Sequence, residues 1–446
     1  MGDSNKSTKI KAIVGVAGII AIFGLTFMTG GTNGPMVFGV RSEFLLFALT
    51  LLGVALLHNN TFEVAITGLV SVLILKFVFA SDFHFIHHMD EEKMVMINLL
   101  GLLLGFAILA KHFETSHIPE MLPKYLPAGW VGGFVLLVMV FIISSFLDNI
   151  AAAMIGGAVA LGVFGKRVHI GYIAAIVAAS NAGGSGSVVG DTTTTMMWID
   201  GVDWHDVIHA YYAAVPALIV CGVIAAIQQN KYQPLSKKID ESLKIKWDKI
   251  AVVFLILVGA ILANVYYDLP AAGVWAAILI GALMTQTPWG EIPKSLKGTF
   301  FLLALVLSAS LMPVSELPGA SANTAFGLGF LSAVFDNIPL TKLALTQGGY
   351  DWGVLAYCVG FGGSMLWFGS SAGVAITNLF PEAKSVGAWI KGGWHVTLAY
   401  IIGFYIMMAI GGWNPHPKHK VDKVAIVPTK EVKTQEEAPK VDPVKP

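Results

Sequence analysis

The chain has 446 residues, 55% hydrophobic and 13% charged, with a formal net charge of +0 and a mean hydropathy of +0.72. A water-soluble globule carries about 25% charged residues, so the composition argues against one. The balanced charge gives no basic field for nucleic acid and no preference for acidic partners.

Apolar runs fall near residues 10–28, 44–58, 62–80, 94–110, 131–147, 149–163, 169–198, 207–227, 250–265, 270–284, 300–312, 326–345, 354–380 and 393–412. Several are too short to cross a hydrocarbon core of about 30 Å alone. Others are long but interrupted by Gly, Ser and Asp. Irregular backbone at membrane depth survives only where protein or a water-filled cavity satisfies its polar groups. The breaks are therefore the places to look for chemistry.

Lys6, Lys9 and Lys11 precede the first run. No small-x-small cleavage site follows, so a retained helix is expected in preference to a signal peptide. Lysine-rich interludes should face the cytoplasm. On that rule three crossings reach Asp82–Glu92 outside, and a fourth returns to Lys111–Lys124. A re-entrant hairpin over 131–163, with its tip at Asp148-Asn149, leaves Gly165-Lys166-Arg167 inside. The broken segment 169–198 then crosses to Asp200–Asp206. The run 207–227 returns to a linker bearing Lys231, Lys237, Lys238, Lys244 and Lys246.

The second half follows the same pattern from the other face. Two crossings leave Glu291–Lys297 inside, and 300–312 goes out to Glu316. A second hairpin over 326–345 opens outward with its tip at Asp336-Asn337. The segment 354–380 returns to Lys384 and Lys391, and 393–412 exits to a Pro-, Lys- and Glu-rich tail expected to be disordered. His84, His87 and His88 are expected in a wet amphipathic loop rather than a metal site. Cys221 and Cys358 lack CxxC spacing and read as buried thiols.

An internal repeat underlies this pattern. Ser144-Ser-Phe-Leu-Asp148-Asn149-Ile150 matches Ser332-Ala-Val-Phe-Asp336-Asn337-Ile338. Gly183-Gly184-Ser185 matches Gly362-Gly363-Ser364, and Gly190-Asp191 stands opposite Gly369-Ser370. Charge-derived topology and letter-level repeat agree on inverted halves, a signature of secondary transporters. The expected fold is an all-α polytopic membrane protein of about eleven transmembrane helices plus two re-entrant hairpins. The expected segments are 1–43 (N-terminal helix and loop), 44–227 (first repeat), 228–249 (cytoplasmic linker), 250–412 (second repeat) and 413–446 (tail).

Asp148, Asp191 and Asp336 are acids inside apolar stretches, where charge costs several kcal/mol and marks a cavity or a partner. Desolvation raises a carboxylate's pKa and a bound cation lowers it, so one ion can expel the other. The alternative for each is a helix cap. Asn149 and Asn337 are cation ligands or tip staples. In Thr192–Thr195 the hydroxyls either ligate a hard cation or bond back to the backbone. Gly183, Gly184, Gly362 and Gly363 are expected to permit unwound backbone or close packing. His209 and His395 are read as helix-end groups, with proton relay as the other reading. Lys342 is expected either to snorkel outward or to neutralise Asp336.

These residues resemble the NhaD-type sodium/proton antiporters of the ion transporter superfamily, which also holds arsenite and citrate permeases. The resemblance is carried by Phe146-Leu-Asp-Asn-Ile, Ser180-Asn-Ala-Gly-Gly, Gly190-Asp-Thr-Thr-Thr-Thr, Leu331-Ser-Ala-Val-Phe-Asp-Asn-Ile-Pro-Leu and Tyr357-Cys-Val-Gly-Phe-Gly-Gly-Ser-Met-Leu through Gly369-Ser-Ser-Ala-Gly-Val-Ala. It spans roughly residues 95 to 412. This chain has Gly186-Ser-Val-Val where the family has a Trp-Ser-Pro run, and Lys342 in place of an apolar residue.

The resemblance implies a scaffold plus a transport domain, elevator-like movement of the hairpins and a homodimer in the inner (plasma) membrane. Its functional polar residues map to Asp148, Asn149, Asn181, Asp191, Thr193, Thr194, Ser332, Asn337, Ser364 and Ser370, to which the repeat adds Asp336. Sodium is expected at Asp148, Asn149 and Asp191, exchanged for protons, with no other cofactor; the partners expected are the lipid bilayer and small ions. The alternatives are an anion permease of the same superfamily (citrate, dicarboxylate or arsenite) and a membrane-embedded enzyme or sensor, for which no HExxH is present.

Overall fold

The computed structural model describes residues 2–29, 36–37, 39–57, 60–80, 83–236 and 243–417, with side chains from residue 12 onward. The side chains of Lys6, Lys9 and Lys11, the residues Asp82, Lys237 and Lys238, and the tail beyond residue 417 lie outside the described residues.

The described chain is almost wholly helical. Its only strands are the two-residue β1 (Met36–Val37) and β2 (Val40–Arg41), paired antiparallel. The first group of helices is α1 (Gly2–Thr29), α2 (Ser42–Leu56), α3 (Thr61–Phe79) and α4 (Phe85–Glu114). Next come α5 (Ile118–Tyr125), α6 (Trp130–Ser144), α7 (Asn149–Val163), α8 (Ile170–Ser185), α9 (Thr192–Ile199), α10 (Trp204–Ile208) and α11 (Tyr211–Tyr232). After the linker follow α12 (Trp247–Tyr267), α13 (Pro270–Gly281), α14 (Glu291–Ser310), α15 (Ala322–Val334), α16 (Asn337–Gln347), α17 (Trp352–Gly362), α18 (Ser371–Leu379) and α19 (Val386–Ile410).

Among the described residues, six stretches are long and apolar enough to cross a membrane: α3, α4, Trp204–Tyr232, α12, α14 and α19. Large apolar side chains such as Phe254, Val265 and Leu283 stand exposed on and beside α12 and α13. Water would disfavour that surface, whereas lipid tails would cover it. The chain is thus an all-α, multi-pass membrane protein.

Two helices form the centre. Every residue of α8 from Gly171 to Ser185 is buried, as is all of α17. Around α8 pack α6, α7, α11, α17 and α19, and α15 lies along α17. A smaller apolar cluster, with Leu46, Val72 and Leu305, joins α2, α3 and α14. The order of elements recurs: α6–α7 and α15–α16 are helix pairs with an Asp at the tip, followed by the interrupted helices α8/α9 and α17/α18.

Two sequence expectations need correcting. The segment before Lys93 is not a loop, because α4 begins at Phe85. Its polar letters follow helical spacing: one face keeps the exposed pairs Lys93–Asp90 and His87–Glu91. The other turns His88 Nε2 to Ser310 Oγ at 2.9 Å and Glu92 to Lys342. Lys342 therefore neither snorkels outward nor neutralises Asp336. It is buried, and its Nζ lies 2.8 Å from Glu92 Oε2.

Candidate ion-binding site

Helix N-termini leave backbone N–H groups without partners, and the three acids of the candidate site each occupy one. Asp148 caps α7, its Oδ2 accepting from Ile150 N at 3.3 Å. Asp336 caps α16, its Oδ1 accepting from Ile338 N at 3.0 Å. Asp191 caps α9 after the break in α8/α9, accepting from Thr193 N at 3.3 Å and Thr193 Oγ1 at 2.9 Å. At the matching position of the second half, Ser370 caps α18 by accepting from Gly373 N at 3.3 Å. The capping reading thus holds for all three acids. It leaves each carboxylate with further acceptor capacity.

The tips and breaks converge on Asp191, which is 2% exposed. Asn149, beside the first tip, donates to Asp191 Oδ1 at 3.2 Å and to Asn181 Oδ1 at 2.9 Å. Asn337, beside the second tip, donates to Asp191 Oδ2 at 3.5 Å. Asn181 in α8 reaches across the halves to Ser364 Oγ at 2.9 Å and Ser370 Oγ at 3.2 Å. One network therefore joins Asn149, Asn181, Asp191, Thr193, Asn337, Ser364 and Ser370.

Asp148 and Asp336 flank this network, close enough to repel the charge on Asp191. The Thr192 side chain lies beside Asp148 on the cavity, and Ser371 Oγ donates to Asp336 Oδ2 at 3.1 Å. These hydroxyls open α9 and α18. They are equivalent positions; Thr192 belongs to the Thr192–Thr195 run, whereas Ser371 is not singled out by the sequence, although extending the Gly190-Asp191/Gly369-Ser370 match by one residue finds it. Among the described residues, no Lys or Arg pairs with any of the three acids.

Other expected site residues act as braces. Thr194 Oγ1 donates to Ser187 O at 2.6 Å and Thr195 Oγ1 to Val188 O at 2.9 Å, satisfying carbonyls of the break. Ser332 Oγ donates to Val359 O at 2.6 Å, as its counterpart Ser144 does to Ser180 O at 2.6 Å. Neither serine hydrogen-bonds the acids.

The glycines need a correction too. Gly183, Gly184 and Gly362 are helical and Gly363 caps α17; none has positive φ. Close approach explains them. A Cβ on Gly183 would collide with Phe141 O, and one on Gly362 with Gly329 O; on Gly184 and Gly363 it would lie 2.6 Å from Gly190 O and 2.8 Å from Gly369 O. His209 ends α10, stacked on Tyr212. His395 sits buried inside α19, past the kink at Gly393, without a hydrogen bond to the network.

A cavity of about 420 Å³ opens onto the site. Asp148, Asp191, Thr192, Thr195 and Ser371 line its inner end, and Lys111, Glu114, Glu291 and Ser295 also line it. Among the described residues no three His, Cys, Asp or Glu side chains gather as a metal cluster. The polar part of the lining includes carboxylate and hydroxyl oxygens, the donor type that hard cations take.

No family model matches the chain. It is 28% identical over 342 residues to "Sodium/proton antiporter 1" of Arabidopsis thaliana, covering 66% of this chain and 58% of that protein. It is 26% identical over 342 residues to "Sodium/proton antiporter 2" of the same plant, covering 66% and 80%. "Na(+)/H(+) antiporter NhaD" of Alkalimonas amylolytica is 27% identical over 305 residues, covering 55% of this chain and 62% of that one. The chain thus spans about three fifths of the length of two of these three relatives. By sequence, then, this chain is similar to the NhaD-type sodium/proton antiporters and to the plant antiporters related to them.

Proposed function

We propose that the chain is a secondary active transporter that exchanges sodium for protons. The observation that carries this reading is the set of three carboxylates, Asp148, Asp191 and Asp336, gathered without a basic partner among the described residues, with Asp148 and Asp191 lining a cavity. Charge inside a membrane is tolerable only beside a counter-charge or when neutralised by a proton. A cation and a proton are the two ways to neutralise such a group, and each weakens the hold of the other.

Asp148 and Asp191 are the proposed carriers of sodium and proton. Asn149, Asn181, Thr193 and Thr194 complete the first half of the site; Ser332, Asp336, Asn337, Ser364 and Ser370 complete it from the second. The amides of Asn149 and Asn337 hold Asp191 from both tips, so movement of either tip alters the anion's surroundings. That supports coupling between ion binding and conformational change. The unpaired acids also weigh against the anion permease.

The finer architecture belongs to the same proposal. α6–α7 and α15–α16 are read as re-entrant hairpins entering from opposite faces, within about eleven transmembrane helices arranged as inverted repeats. The repeats are 44–227 and 250–412, joined by the cytoplasmic linker 228–249. The protein is read as a homodimer in the inner (plasma) membrane. With the lysine-rich interludes inside, Lys111 and Glu291 face the cytoplasm. The cavity then opens inward.

Reconstituted protein with an imposed sodium gradient tests the proposal. Sodium-driven proton movement, reported by a pH-sensitive dye and absent from protein-free vesicles, is the expected result. Uptake of labelled citrate or arsenite without proton exchange for sodium would replace this reading with the anion permease.

A further inference from the structure

A second cavity, of about 750 Å³, lies where the loop after α7 meets α11 and α19. It shares no lining residue with the acidic site. Lys166, Arg167, Lys231 and Lys391 line it together with His169, and Glu382 is its single carboxylate. Among the described residues, none of the four permanent cations makes an ion pair.

The cavity is organised, which separates it from a scatter of flanking lysines. Buried Gln229 clasps the loop: its Oε1 accepts from His169 N at 2.7 Å and its Nε2 donates to Arg167 O at 3.1 Å. Tyr232 orders the side chains above. The Arg167 guanidinium carbon is 5.2 Å from the ring centroid, and the His169 ring stands edge-on at 5.5 Å. An arginine held this way retains its fork of donors for a phosphate-type anion.

The rim continues into apolar surface. On α19, Ile390 and Trp394 are exposed beside Lys391, and on α11 exposed Ile227 lies one turn before Lys231. A cationic cavity bordered by lipid-facing side chains suits an amphiphile better than a free anion. Basic pockets between transmembrane helices hold anionic headgroups by this combination.

We propose that this cavity binds an anionic phospholipid, with the phosphate held by Arg167, Lys391, Lys166 and Lys231 and the acyl chains lying along Ile227, Ile390 and Trp394. The site would tie α11 and α19 to the loop that closes the first helix pair. It is independent of whether the chain exchanges sodium.

The test is binding to the purified, delipidated full chain. Phosphatidylglycerol, phosphatidylcholine and inorganic phosphate are added separately, with retained lipid read by native mass spectrometry and stability by thermal unfolding. Phosphatidylglycerol should be retained and should raise the midpoint, while phosphatidylcholine and millimolar phosphate should do neither. Arg167→Gln/Lys391→Gln should weaken phosphatidylglycerol retention about ten-fold, with the lipid-free midpoint unchanged. Should that variant fail to fold, Lys166→Gln/Lys231→Gln, whose side chains are exposed, should show the same loss. Equal retention by a folded variant would overturn the site, and equal stabilisation by inorganic phosphate would overturn the lipid reading.

Discussion

The side-chain amide of Asn181 donates to the hydroxyl of Ser364 at 2.9 Å, across 183 residues of sequence. One residue belongs to α8 and the other to the break after α17, so the bond joins the interrupted helices of the two halves. Asn181 also accepts from Asn149 and donates to Ser370. A single buried amide thus connects one tip and both breaks. Asn181→Ala would leave two buried hydroxyls and one amide short of a partner, at a cost of about 1–3 kcal/mol. Thermal unfolding of the purified variant should show the drop, and Asn181→Gln should not restore the wild-type midpoint.

Asp191→Asn keeps a side chain able to cap α9 but removes the charge that a cation would neutralise. The variant should fold and elute like the wild type. Its sodium-driven proton movement should fall at least ten-fold, equivalent to about 1.4 kcal/mol. Unchanged exchange would remove Asp191 from the proposed carriers.

The Lys342–Glu92 pair makes a different prediction. Both side chains are largely shielded, at 4% and 14% exposed. Removing one partner of such a pair typically costs about 3–5 kcal/mol, whereas replacing both with apolar groups is often neutral. Glu92→Gln alone should therefore destabilise strongly, and Glu92→Leu/Lys342→Met should recover most of the loss. Thermal unfolding of the two variants, side by side, reads the difference.

Glycine substitutions separate close packing from backbone freedom. Gly183→Ala and Gly362→Ala each drive a methyl into a neighbouring carbonyl, an overpacking expected to cost about 1–3 kcal/mol. Gly162→Ala in α7 meets open space and should be neutral or stabilising by up to about 1 kcal/mol. Equal midpoints for all three would contradict the packing account.

These contrasts show what the letters revealed. The apolar runs marked most helices because hydrocarbon burial needs long stretches of one kind, and the Asp-Asn and Gly-Gly-Ser matches located both tips and both breaks. The pairing of Lys342 was not legible, because Glu92 lies 250 residues away in a segment whose charges suggested a loop. Helical spacing was the available signal there. Gly183 and Gly362 admit two readings in the sequence, unwinding and close approach, and only the position of the facing carbonyl decides between them. Ser371 is not legible because a hydroxyl next to a capping residue carries no signature of its own.

The central claim is that sodium and protons compete for the carboxylates around Asp191. The most direct measurement is the pH change inside proteoliposomes when sodium is added outside, compared between the wild type and Asp148→Asn/Asp191→Asn. The account predicts sodium-dependent proton movement in the wild type and none in the folded double variant. Equal movement in both, or none in correctly folded wild type under any sodium gradient, would contradict it.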